Sequence, residues 1–112
     1  MPIPLEISAS DLARRIDKGL RHTLIDVRHP KEFAICQIPD SLNFFEIEDI
    51  LDRIGYWLRD GEHPVIIVSH HGKRAREMVN DLRDYGYQSV CSLAGGIDAW
   101  AHEIERSMTR YD

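Results

Sequence analysis

The sequence predicts an α/β fold: one three-layer α/β/α domain over residues 1–112, with a central parallel sheet of about five strands. Three observations carry that expectation. Short β-branched runs alternate with helix-period segments along the whole chain, the pattern built by right-handed crossovers between parallel strands. The run Val65-Ile66-Ile67-Val68 is apolar at every position, as a strand covered on both faces must be. And 112 residues, 43% of them hydrophobic, suffice for one core and leave no room for a second domain.

The elements follow in order. Leu5 to Ile7 form a first short strand. Ser10 is the expected N-cap of a helix through Lys18, with Leu12, Ala13 and Ile16 on its apolar face and Gly19 as its stop. Thr23 to Val27 is a second strand. Pro30, at an N1-like position, opens a short helix over 30–35, and Ser41 to Asn43 gives a brief third strand. Ile47, Ile50, Leu51, Ile54 and Leu58 keep helical spacing ahead of Gly61. After strand 65–68, Ala75, Met78, Val79, Leu82 and Tyr85 mark a helix over 73–85 that ends at Gly86. Strand 89–93 and helix 96–106 complete the chain, with no internal repeat or low-complexity tract. Trp57 and Trp100 read as helix-packing aromatics.

Composition narrows the function classes. A net charge of −5 argues against a general nucleic-acid surface. No apolar run approaches the roughly 18 residues that span a membrane, and Met1-Pro2 opens directly on the domain, so a soluble, cytoplasmic protein is expected. Cys36 and Cys91 sit in or beside apolar patterns and read as buried free thiols rather than a disulfide.

In parallel α/β sheets ligands collect outside the carboxyl ends of the strands. Three segments fall there: Asp26-Val27-Arg28, Ser69-His70-His71 and Ala94-Gly95-Gly96. Ser69 to Arg74 join a strand to a helix N-terminus, where successive N–H groups and the helix dipole favour a small anion. The candidate anion-binding loop is therefore Ser69, His70, His71, Gly72, Lys73 and Arg74. Ser69 reads in three ways: a hydroxyl satisfying a backbone group, a donor to a bound anion, or a nucleophile, which needs a positioned base. His70 and His71 read as polar lining; adjacent loop residues usually point apart, and no third ligand stands at metal-site spacing. Lys73 and Arg74 are cations where a helix N-terminus disfavours them, which points to an anionic partner. Asp26 and Arg28 support the site, Arg28 either lending positive charge or pairing with Asp26 or Glu32. Gly95 and Gly96 allow a close turn beneath it.

These residues carry a family resemblance. Val65 to Val68 leading into a polar loop with Gly72 and Arg74, a helix, and then Leu93, Gly95, Gly96, Ile97 and Trp100 resemble the end of a single-domain rhodanese. Upstream, LIDVRHPKEFAICQIPDSLNF, Leu24 to Phe44, is similar to that family's Asp-Val-Arg-x-x-x-Glu-Phe segment and the Gly-His-Ile-Pro-Gly-Ala-x-Asn that follows. The resemblance runs from about Leu5 onward and implies a rhodanese-like fold and thiosulfate sulfurtransferase chemistry, with sulfane sulfur carried as a cysteine persulfide.

The departures bear on that chemistry. Ser69 stands where the family's catalytic cysteine is expected, Ala75 where a loop serine often is, Gln37 where histidine is usual and Asp40 where glycine is usual. A thiol with a free pKa of about 8.5 is brought to roughly 3.5–7.5 by a helix N-terminus and cations, whereas a serine oxygen cannot form a persulfide. The leading expectation is a module without sulfurtransferase activity that needs no cofactor and no metal. It would hold a small anion such as thiosulfate or sulfate, or a partner protein's acidic or thiol-bearing segment. The alternative is a sulfurtransferase whose cysteine has been exchanged for serine, or one that uses another thiol.

Overall fold

The computed structural model describes residues 3–61 and 63–109; the expectation that Met1-Pro2 opens directly on the domain lies outside them. The elements are β1 (Glu6–Ile7), α1 (Ala9–Asp17), β2 (Thr23–Asp26), α2 (Pro30–Ile35), β3 (Leu42–Asn43), α3 (Ile47–Trp57), β4 (Val65–Val68), α4 (Lys73–Asp84), β5 (Val90–Leu93) and α5 (Gly96–Glu103). The strands form one parallel sheet in the order β1-β5-β4-β2-β3. The predicted strand-helix alternation produces this order because each crossover returns the chain to the same end of the sheet.

Side-chain alternation along the strands divides the core in two. Val65 and Ile67 of β4, with Ile25, Val27 and Val90, face Ile50, Ile54 and Trp57 of α3 and Ala75, Met78, Val79 and Leu82 of α4. Ile66 and Val68, with Leu24, Cys91 and Leu93, face Leu12 of α1, Ile38, and Ile97 and Trp100 of α5. Every residue of β4 is fully buried, which accounts for its unbroken apolar run.

The boundaries differ from expectation in ways with physical causes. Ser8, not Ser10, caps α1: its extended backbone leaves β1, and its hydroxyl accepts the Asp11 N–H at 3.1 Å. Ser10 lies within the first turn, and Ile16, expected on the apolar face, is exposed. Tyr85 is likewise exposed, as the C-cap of α4. Helix α5 stops at Glu103 rather than 106, because the Trp100 carbonyl accepts the N–H groups of both Ile104 and Glu105. Both cysteines are free; Cys91 is buried and Cys36 only half-buried.

Candidate functional site

The carboxyl ends of β2 and β4 lie side by side, Asp26 opposite Val68, and the loops leaving them form the walls of a pocket of about 400 Å³. Val27, Arg28, His29, Glu32, Phe45, Ser69, His70, His71, Lys73 and Arg74 line it. Thus the Ser69–Arg74 loop and Arg28 are brought together as their strand-end positions implied. A larger cavity, of about 590 Å³, lies around Thr23, His63 and Trp100 and contains none of the predicted site residues.

Ser69 is 3% exposed, and its Oγ accepts hydrogen bonds from the backbone N–H groups of Gly72, at 3.0 Å, and Ala75, at 3.2 Å. The turn and the first residues of α4 therefore aim two amides at one side-chain atom, an arrangement that stabilises negative charge there. The left-handed Gly72, at φ 101°, makes the turn tight enough, and a Cβ on it would sit 3.1 Å from the Gly95 nitrogen. Among the described residues, the hydrogen bonds to Ser69 Oγ come from these two amides, so both act as donors to it; a serine nucleophile would in addition require a positioned base.

Gly96 sets the floor. A Cβ at this position would meet the Ser69 carbonyl oxygen at 2.3 Å and that of His70 at 2.4 Å. With glycine there, the first turn of α5 closes on the loop: Ile97 N–H donates to the Ser69 carbonyl at 2.8 Å and Asp98 N–H to that of His70 at 3.1 Å. Gly95 and Gly96 thus shape the loop from below, and neither lines the pocket.

The cations divide by role. Arg28 is buried and forms a bidentate pair with Asp26, with Nε at 2.9 and 3.0 Å from the two carboxylate oxygens and Nη2 at 2.7 Å from Oδ2. It also donates to the Cys36 carbonyl at 2.6 Å, which ties α2 to the strand end. Arg28 thus pairs with Asp26, and it also donates to the Glu32 backbone carbonyl at 3.4 Å. Arg74 donates to the carbonyls of Val27, at 3.1 Å, and Phe45, and stacks over the Phe45 ring at 4.6 Å. It braces one wall against the other. Lys73 is exposed at the rim.

Two features were not legible in the sequence. Phe45 and His29, packed edge to face at 5.7 Å, supply an aromatic edge to the pocket that follows no motif or spacing. His70 and His71 do not point apart: their rings stack at 4.0 Å with 17° between planes, and Asp98 stands beside them. Neither thiol lines the pocket. Cys36 approaches Arg28 Nη1 at 3.8 Å, and burial pushes the Cys91 thiol up to about 11.

A parallel sheet whose strand-end loop focuses two amides on one side chain, closed from below by a Gly-Gly turn, defines an α/β domain with a candidate site at its strand ends. The comparisons agree: residues 8–103 match the rhodanese-like domain, and the chain belongs to that family. It is 34% identical over 96 residues to the adenylyltransferase and sulfurtransferase MOCS3 of Drosophila ananassae, covering 80% of this chain and 21% of that protein. The MOCS3 of Drosophila virilis is 34% identical over 104 residues, covering 88% and 23%. The chain thus spans about a fifth of the length of these relatives. Among solved structures, a rhodanese-related protein from Thermoplasma volcanium superposes with a TM-score of 0.72 at 27% identity, covering 90% of this chain and 94% of that one. The human single-domain sulfurtransferase TSTD1 shares the fold, with a TM-score of 0.72 at 22% identity over 90% and 98% of the two chains. No described helix is long and apolar enough to cross a membrane.

Proposed function

We propose that this rhodanese-like domain binds a small oxyanion such as thiosulfate or sulfate, or an acidic or thiol-bearing segment of a partner protein, at the Ser69–Arg74 loop without transferring sulfur. The observation that carries the reading is the pair of amides converging on Ser69 Oγ. They supply the environment that lowers a thiol's pKa, but a serine oxygen in that position stays protonated and forms no persulfide. Its hydroxyl proton remains available to an anion, and Lys73 adds exposed positive charge at the rim. The Gly72 amide of the loop and the Ala75 amide just beyond it are already occupied by Oγ, so affinity is weak, on the order of millimolar, or about −4 kcal/mol.

A second reading is favoured by the same pair of amides, because a thiol at position 69 would find its stabilising donors in place: a sulfurtransferase in which serine has been exchanged for the reactive cysteine. Sulfur-transfer assays test each reading in turn. The protein itself is expected to show no thiosulfate:cyanide turnover above buffer, and a turnover abolished by Cys36→Ser or Cys91→Ser would overturn the non-transferring reading. Ser69→Cys is expected to take up one sulfur atom from thiosulfate, read by mass spectrometry. Failure to do so would eliminate the exchanged-cysteine reading. Binding is tested separately by NMR titration with sulfate, which is expected to move the amides of the 69–74 loop first; shifts confined to residues far from it would refute the anion site.

A further inference from the structure

We propose that His70, His71 and Asp98 form a binding site for a first-row divalent transition-metal ion at the edge of the Ser69 pocket. One ligand atom from each lies within 4.8 Å of the others, and His71 Nδ1 is 4.0 Å from Asp98 Oδ2. The sequence hid this set because the carboxylate comes from α5, across a whole helix and strand from the two histidines.

The backbone beneath the cluster is fixed. Asp98 N–H donates to the His70 carbonyl at 3.1 Å, and Ile97 N–H to that of Ser69 at 2.8 Å. Both bonds exist because Gly96 has no Cβ to hold α5 away from the loop. The first turn of α5 therefore cannot drift from the His-His pair, and the spacing of the three side chains is a property of the fold. A tetrahedral ion with bonds of about 2.1 Å needs its ligands roughly 3.4 Å apart, so the widest pair must close by up to about 1.4 Å. That is within reach of side-chain rotation alone, since the His71 side chain is 68% and the Asp98 side chain 36% exposed. The stacked rings hold a nitrogen of each within 4.8 Å of Asp98, and tilting one ring out of the stack turns both in-plane lone pairs toward one ion.

The donor set specifies the class of ion. Two imidazoles and one carboxylate suit zinc, nickel or copper, whereas magnesium and calcium favour all-oxygen shells. Three protein ligands leave a coordination position for water or for an anion. The site requires neither an anion in the pocket nor any role for Ser69, so it stands or falls apart from the function proposed above.

The test is calorimetric titration of the untagged, chelator-treated chain with Zn²⁺, with Mg²⁺ as the contrasting ion. One Zn²⁺ per chain is expected to bind, and Mg²⁺ not measurably. His71→Ala and Asp98→Asn are each expected to weaken Zn²⁺ binding at least about tenfold, the lower end of what loss of a supporting group around a metal costs. His102→Ala, on the exposed end of α5, leaves it unchanged. Thermal melts of the metal-free variants establish that they fold; His71→Ala, with its exposed side chain, serves if Asp98→Asn does not. Co²⁺ gives a second readout, since it should broaden the His70 and His71 ring resonances before those of other histidines. Zinc affinity unchanged in both variants, or a broadening centred on other histidines, overturns the site.

Discussion

Two neighbouring loops, one after β2 and one after β4, both set an arginine close behind a strand end, yet they use their charge differently. In the first, Arg28 is enclosed: Asp26 accepts three hydrogen bonds from its guanidinium, and the Glu32 and Cys36 carbonyls accept more. Its charge is cancelled within the chain. In the second, Arg74 is held by carbonyls of Val27 and Phe45 with no carboxylate partner among the described residues, and Lys73 beside it is exposed. A cation near a strand end thus has its charge cancelled or left uncancelled according to whether the chain supplies its own counter-charge. The first loop is locked by a buried ion pair, and the second leaves Lys73 in solvent, which is what the proposed binding role requires.

The largest effect should come from opening the Asp26–Arg28 pair. The two side chains are 1% and 2% exposed, and removing one partner leaves the other's charge buried and uncompensated, at a cost of about 3–5 kcal/mol. Asp26→Asn and Arg28→Ala are expected to lower urea-unfolding stability by that amount, while Lys73→Ala changes it by no more than about 0.5 kcal/mol. Equal effects from the two loops would erase the distinction between scaffold and surface.

A smaller effect is expected at Ser69, where the second loop touches the core. Ser69→Ala leaves the Gly72 and Ala75 amides without their acceptor in a buried position, which costs about 1–3 kcal/mol. Ser69→Cys retains an acceptor and is expected to lose less. Denaturant midpoints for the two variants decide it: an alanine variant as stable as the cysteine one would mean the amides have other partners.

How much of this was legible follows from the range over which each feature is determined. Alternating β-branched runs and 3.6-residue periods are local, so five strands, five helices and the placement of Ser69 at a strand end were all readable. The Gly95-Gly96 turn was readable as a close approach because glycine there has few other reasons. The cap at Ser8 was missed since two serines lie within reach of the same turn, and only the backbone angle after β1 chooses between them. The stacking of His70 on His71, the Phe45 edge and the arrival of Asp98 depend on tertiary contact between segments distant in the chain, and no spacing encodes them. Arg28 was an intermediate case: its carboxylate partner was in view two residues away, but burial had to decide between pairing and display.

The smallest effect is the one that tests the presented loop. Lys73→Glu reverses an exposed charge at the rim, and surface charge interactions are worth about 0–1 kcal/mol each, so sulfate binding should weaken roughly three- to tenfold with stability nearly unchanged. Salt screens exposed charges over a distance of about 10 Å at 0.1 M ionic strength, so the titration must be run at low salt. Lys18→Glu, at the end of α1, is the matched control: it shifts the net charge of −5 by the same two units without touching the loop. Arg74→Ala makes a poorer probe, because it also cuts the bonds that join Val27 and Phe45 to the loop and would confuse shape with charge. If Lys18→Glu weakened sulfate as much as Lys73→Glu did, the anion would be responding to overall charge, and the second loop would have no more claim to be a binding surface than the first.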